Sequence, residues 1–388
     1  MKPLNLIALC TFAASTTIRC LDPVLPQIAG DFKMDNHAVA ILATAYALPY
    51  AFIQPILGLC ADVIGKARII VYSLLALAVF SIVAALVNDF HLLFAARVIC
   101  GATSGGIFPV ALALAGDLVP VQERQVAMGR ILGLSMAGNL LGSTAGGIIG
   151  DIVSWHGVLI FTGALVAIAF AVAWYGMREL MNVPRSPFNL AQVIAGYKDI
   201  FSNPNARVCY PAVLIEGICL FGVFPYVASF LMEAGEPRSS IAGLVIAGFA
   251  VGGVIYGFAV PLMLRVMSIN GLMVIGALIM GAQFIAIAYQ PHWAYQVGVF
   301  MVLGIAFYML HGSLQVFASE LAPHARASSV AWHATFFFIG QAAGPVLYGY
   351  GLGHAGRMPT LIVVAIVLAV LGAVCALLLR HRGEESAV

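Results

Sequence analysis

Four ionisable side chains stand inside long apolar runs: Arg19, Asp22, Arg97 and Glu216. A charge at the centre of a bilayer costs at least ~2.5–3.5 kcal/mol on insertion scales, so such residues are functional candidates by default. Arg19 and Asp22 are three apart, which puts them on one helical face within pairing reach. They either neutralise each other or present Arg19 to a cavity, where it holds Asp22 or an anionic substrate. Pro23 and Pro26 follow, and predict a helix end that bends and frees carbonyls for other partners. Glu216 has no charged neighbour in sequence. It is either a site that takes up and releases a proton as its exposure alternates, or a permanently protonated acid bonded to a neighbouring helix. His311 adds an imidazole, which titrates near neutral pH. It reads equally as a second proton site, a neutral substrate contact or a packing residue. Tyr308, His311 and Gln315 share a helix face by spacings of three and four. Arg97 either satisfies free carbonyls or pairs with a carboxylate on a neighbouring helix.

The elements that must carry these groups follow from composition. Of the 388 residues, 62% are hydrophobic and only 9% charged, with a mean hydropathy of +1.02. A soluble domain carries roughly 25% charged residues, so most of this chain faces lipid or protein rather than water. A spanning helix needs about 20 mainly apolar residues. Twelve such stretches are predicted, near 4–28, 38–59, 69–87, 91–118, 125–149, 156–176, 206–232, 240–264, 271–289, 293–320, 328–352 and 358–380. Of 18 Lys and Arg, thirteen fall on one set of loops and tails, three on the other and two within helices. Cytoplasmic loops carry the Lys/Arg excess, which predicts that both termini are cytoplasmic. The stretch from Met1 to Cys20 has the look of a secretory signal, but it continues through Arg19 and Asp22 with no small-residue cleavage site, and is read as a spanning helix.

One long polar connection, roughly 178–205, divides the chain into an N-terminal six-helix bundle (1–177), a cytoplasmic linker (178–205) and a C-terminal six-helix bundle (206–388). Further cavity candidates are Tyr46, Tyr50, Gln54, Asn139, Phe221, Phe224, Tyr226, Gln283 and Gln341. Trp332 and His333 are expected near the cytoplasmic mouth. The seven cysteines show no metal or redox spacing. There is no phosphate-binding loop and no catalytic triad, so neither enzymatic activity nor a cofactor or metal is expected. The expected partners are a small-molecule substrate, protons and the bilayer, not nucleic acid, and the chain is expected to be monomeric.

The two halves echo each other. Gly138, Gly142, Gly146 and Gly147 lie in a run that matches Gly340, Gly344 and Gly349, with Gly142 and Gly344 202 positions apart. Asp117, Pro120 and Arg124 match Glu320, Pro323 and Arg326 at nearly the same offset. Repeated halves are the usual build of secondary transporters, with the substrate site at their interface. The series Gly133, Gly138, Gly142, Gly146 and Gly150 predicts close helix packing. Its expected partner is a helix of the other half, so that the halves rock while staying sealed.

The loop from Gly58 through Asp62, Gly65 and Lys66 to Arg68 resembles the signature loop between the second and third helices of the major facilitator superfamily. Val63 stands where that family has a basic residue. The surroundings of Arg97 are similar to the family's fourth-helix motif. The glycine run of the fifth helix resembles the antiporter motif of the drug-efflux branch, with Ser143 in place of its proline and Pro345 at the matching place in the eleventh. Asp22, Leu25 and Pro26 resemble the first-helix pattern of bacterial drug/proton antiporters. The resemblance implies an all-α membrane fold of twelve helices in two six-helix bundles, in the bacterial inner membrane. It implies proton-coupled efflux of a small amphipathic or drug-like compound by alternating access. Proton coupling is expected of Asp22, Glu216, Arg97 and His311. Substrate contact is expected of Arg19, Tyr46, Tyr50, Gln54, Asn139, Phe221, Tyr226, Tyr308, Gln315 and Gln341. Conformational gating is expected of Gly58, Asp62, Gly65, Arg68, Gly138, Gly142, Gly146 and Pro345. Two alternatives stand beside this: an organic-anion or metabolite carrier in which Arg19 binds a carboxylate, and a non-transporting membrane sensor or assembly partner.

Overall fold

The computed structural model describes residues 3–120, 124–182, 197–289, 292–322 and 326–379. All regular structure among them is helical. The principal helices are α1 (Pro3–Thr16), α2 (Ile41–Ile64), α3 (Lys66–Leu86), α4 (Phe90–Gly105, resuming as Ile107–Leu118), α5 (Arg124–Ile152), α6 (Trp155–Gly176), α7 (Ala206–Phe221), α8 (Ser239–Val266), α9 (Ile269–Ala288), α10 (Trp293–Glu320), α11 (Arg326–Ala355) and α12 (Arg357–Leu378). Among the described residues, eleven spans are long and apolar enough to cross a membrane. In most of them about half of the residues of the apolar stretch are buried. The other face stays apolar yet exposed, as at Leu86, Phe258 and Leu262. Hydrocarbon is the solvent that such a face requires, and a helix satisfies its own backbone there.

The first expected span, 4–28, is not one helix. It stops at Thr16, passes through a 3-10 turn at Asp22–Val24 and resumes over Leu25–Phe32. Pro23 and Pro26 lack the amides that would continue the ladder. The seventh span breaks in the same way: α7 stops at Phe221, a 3-10 turn covers Phe224–Tyr226, and a short helix follows over Val227–Glu233. Pro23 and Pro225 are 202 positions apart, the offset already seen between Gly142 and Gly344.

The chain divides into two compact units. One holds Met1–Phe188 with Phe224–Ile246, and the other holds Asn189–Val223 with Ala247–Val388. Segment 224–246, expected within the second bundle, thus packs with the first unit. Most of the expected linker (183–196) lies outside the described residues.

Within the first unit, α5 runs along α1. A Cβ on Gly138 would come 2.2 Å from the Phe12 carbonyl oxygen, and one on Gly142 2.2 Å from that of Thr16. Only glycine permits backbones that close. The second unit repeats the contact between α11 and α7: a Cβ on Gly340 would come 2.1 Å from the Leu214 carbonyl oxygen, and one on Gly344 2.8 Å from that of Ile218. The pairing of α4 with α2 recurs too. A Cβ on Gly101 would come 2.0 Å from the Tyr46 carbonyl oxygen, and one on Gly304 of α10 would come 2.1 Å from that of Phe249 in α8. These contacts correct the expectation for Gly138, Gly142 and Gly146. They seat α5 on α1 of their own half, because the glycine face is spent on that approach. Gly147, on an adjacent face, meets the Ser239 backbone instead, and Gly243 meets the Ser143 carbonyl.

Candidate functional site

Each unit holds its own buried polar cluster. In the first, the break after α1 supplies the geometry. Arg19 Nη1 donates to Asp22 Oδ2 at 3.1 Å, with both residues buried. The Arg19 guanidinium lies 4.8 Å from the centre of the Phe224 ring. Arg97, buried on α4, donates from Nη1 to the Thr17 carbonyl at 3.3 Å, one of the carbonyls freed where α1 ends. Its guanidinium sits 4.3 Å from the centre of the Tyr46 ring. The Tyr46 hydroxyl is hydrogen-bonded to Thr17 Oγ1 at 2.7 Å. Aromatic faces over guanidiniums are worth about 0.5–2 kcal/mol each and replace part of the lost hydration. Two guanidiniums share this cluster with one carboxylate, Asp22, so its formal charge is positive when Asp22 is ionised. Arg97 Nε has no partner among the described residues.

The same unit places Tyr50 stacked 6.2 Å from Tyr46 and buries Gln54. Asn139 is half-buried, and its Oδ1 has no partner among the described residues. Tyr226 stacks with His37 at 5.5 Å and with Phe230 at 6.3 Å. In the signature loop, Gly65 takes a positive φ of 112°, Arg68 Nη1 caps the Ile64 carbonyl at 3.0 Å, and Lys66 pairs with Asp117 at 2.6 Å. The side-chain environments of Gly58 and Asp62 lie outside the described residues.

The second unit holds the other cluster. Glu216 on α7 is wholly buried, and its Oε2 is 2.8 Å from His311 Nδ1 on α10. One proton serves that bond, whether it resides on oxygen or nitrogen. Glu216 Oε1 has no partner among the described residues. The walls are aromatic: Phe307 stacks on the His311 ring at 4.8 Å, and Phe337 lies at 4.6 Å. A bare carboxylate is costly in such surroundings, and the shared proton relieves that cost. His333 of α11 brings a second imidazole, its ring centre 4.9 Å from that of His311. His333 is 1% exposed, and its Nε2 has no partner among the described residues.

Sequence reasoning weighed Glu216 and His311 apart; the structure joins them. It set His333 at a mouth, whereas His333 is buried against His311. A signal was available: Ser329, His333 and Phe337 are spaced by four, and all three are buried. Phe221 packs with Phe249, Phe307 and Phe337 in the same region, and Tyr308 stacks with Tyr256 at 6.0 Å. Gln341 and Pro345 are buried on α11. Gln315 is exposed and makes no hydrogen bond among the described residues, so its spacing from His311 does not bring it into the cluster.

Comparison with known proteins bears on these arrangements. A family model described as Major Facilitator Superfamily matches residues 7–345. "Multidrug resistance protein 1" of Bacillus subtilis is 27% identical over 63% of this chain and 62% of its own length. The "Quinolone resistance protein NorA" of Staphylococcus aureus is 24% identical over 84% of each chain. A "Probable sugar efflux transporter" of Helicobacter pylori is 24% identical over 90% of this chain and 89% of its own. Among solved structures, the nucleoside transporter NupG superposes with a TM-score of 0.75 at 15% identity, over 98% of this chain and all of that one. A bacterial homologue of the human lysosomal transporter Spinster, inward-facing and unoccupied, gives 0.72 at 17% identity over 97% of each chain.

Proposed function

The chain belongs to the Major Facilitator Superfamily and is a multi-pass membrane transporter of small molecules, and from that premise we propose that it is a proton-coupled exporter of small amphipathic compounds in the bacterial inner membrane. The observation that carries this reading is the buried bond between Glu216 and His311. A carboxyl and an imidazole that share one proton in an apolar box form a unit able to load and unload it as the surroundings change. Alternating access supplies that change: a proton moving down its gradient is exchanged for a substrate moving outward. The names of the multidrug, quinolone-resistance and sugar-efflux relatives support efflux over uptake.

The test is ethidium transport in everted membrane vesicles. An imposed pH gradient is expected to drive accumulation, and Glu216→Gln is expected to abolish the gradient's effect while leaving gradient-free dye exchange in place. Accumulation indifferent to the gradient in the wild type sinks the proton coupling.

One observation favours a second reading, in which an organic anion is the cargo. The first unit sets Arg19 and Arg97 against the single carboxylate of Asp22. In that case Arg19→Gln removes transport of anionic dyes and spares cationic ones; equal loss of both rejects it.

A further inference from the structure

We propose that His333 is the second resting place of the transported proton, with His311 passing the proton between Glu216 and His333. The inference rests on the proton-coupled reading above and names how that site works.

Two buried polar atoms of this cluster have no partner among the described residues: Glu216 Oε1 and His333 Nε2. An unpaired buried polar atom costs about 1–3 kcal/mol, so two of them in one box call for a reason. Both side chains flank the same imidazole. Glu216 holds His311 at Nδ1 with a 2.8 Å bond, and the His333 ring lies 4.9 Å away, centre to centre. No hydrogen bond joins the two histidines in this conformation. The His311 ring is therefore bonded on its Glu216 side and open on its His333 side.

The chemistry of imidazole fits that asymmetry. In the transfer, the O–H bond of Glu216 breaks and an N–H bond forms at His311 Nδ1. The N–H bond at His311 Nε2 breaks, and an N–H bond forms on His333. The carboxylic acid becomes a carboxylate, His333 becomes an imidazolium, and His311 ends as the other neutral tautomer. One proton has moved and no electrons have. The two rings lie 4.9 Å apart at 57° to each other, on α10 and α11, so the contact that the transfer requires is made by reorienting one ring toward the other. His311, at 15% side-chain exposure against 0% for Glu216, is the member of the pair nearer to solvent.

The other titratable groups facing the cluster are thiols and phenols. Cys209 and Cys219 share α7 with Glu216, and Cys375 is buried on α12. Cys209 Sγ donates to the Leu314 carbonyl at 3.4 Å, and the Tyr348 hydroxyl donates to that of Cys219. Tyr308 of α10 faces Tyr256. None of these is hydrogen-bonded to Glu216 or to His333 among the described residues, and the group in contact with both is the imidazole of His311.

The experiment follows the carbonyl stretch of protonated Glu216 by infrared spectroscopy after a pH jump, on the purified full chain in lipid nanodiscs. The band is assigned by its absence in Glu216→Gln. His333→Gln is expected to keep the amplitude of the band and slow its relaxation by about 10²–10⁴-fold, the scale of a lost proton-transfer partner. His333→Asn is run beside it, so that a fold-specific defect in one variant does not decide the outcome. An unchanged rate in both variants overturns the role of His333. A wild-type band that never responds to pH overturns the proton-site reading instead, which keeps the two failures distinct.

Discussion

The carboxylate of Asp151 receives the first two amides of α8: Ser239 N at 2.7 Å on Oδ1 and Ser240 N at 2.8 Å on Oδ2. Asp151 belongs to the end of α5, more than eighty positions earlier. It caps a helix remote in sequence by the chemistry with which a neighbouring residue usually caps its own. Gln27 Nε2 bridges the same place, donating to Ser239 Oγ and to the Gly150 carbonyl at 3.0 Å each.

Removing that carboxylate should loosen this end of the first unit. A cap of this kind is worth about 0.5–2 kcal/mol, which corresponds to a roughly 2–30-fold change in an opening equilibrium. Asp151→Ala is expected to raise the maleimide-labelling rate of Cys20, a native thiol buried in the same unit, with its backbone against Gly146 of α5, by a factor in that range. Peptide mapping by mass spectrometry reads the rate at Cys20 alone. An unaltered rate means that the cap does not hold this end shut.

The Glu216–His311 bond makes a non-additive prediction. His311→Phe leaves a wholly buried carboxyl without its partner, at a cost of about 1–3 kcal/mol, whereas replacing both partners by apolar groups is far cheaper. The thermal midpoint of the purified protein should fall in His311→Phe and recover most of the loss in the Glu216→Leu/His311→Phe double variant. Additive losses in the double variant contradict the pairing.

The glycines of α5 are not equivalent. Gly142→Ala drives a Cβ against the Thr16 carbonyl at 2.2 Å, and overpacking of this kind costs typically about 1–3 kcal/mol or more. Gly340→Ala meets the corresponding clash in the second unit, at 2.1 Å from Leu214. Gly133→Ala finds nothing within 4 Å and should be silent. Yield and melting of the three variants in detergent test the ranking.

Arg97→Lys should behave as a loss rather than a conservative change. An ammonium does not present the planar face that lies over Tyr46, nor the forked geometry that reaches Thr17. Transport should fall, and stability should drop by about 1 kcal/mol through the lost bond to the Thr17 carbonyl. Wild-type transport in Arg97→Lys would show that charge alone matters there.

Much of this molecule was legible because membranes simplify the reading. Apolar length marks the spans, and isolated charges mark the polar clusters, since neither Glu216 nor Arg97 has any cheap reason to sit in its helix. Three-residue spacing fixed the Arg19–Asp22 pair because that contact is local. What was not legible is everything that depends on which face of one helix meets which face of another. Glu216 and His311 lie 95 positions apart, and nothing local reports their bond. His333 was misplaced because its nearness to a helix start was weighed above its spacing of four from Ser329 and Phe337. The glycines of α5 were assigned the wrong partner for the same reason: small residues announce a close approach without saying to what. The break at Phe224–Tyr226 could have been found from the known offset, since Pro225 is where Pro23 recurs.

That shared bend carries an evolutionary consequence. The proline turn is common to both copies, while the residue before it has diverged: Asp22 in one, Phe224 in the other. Both halves therefore keep the kink, whereas only one of them keeps a charge on it. The missing proline amide, and not the side chain before it, sets the path of the chain there, so that position carries a charge in one copy and a ring in the other on the same backbone turn.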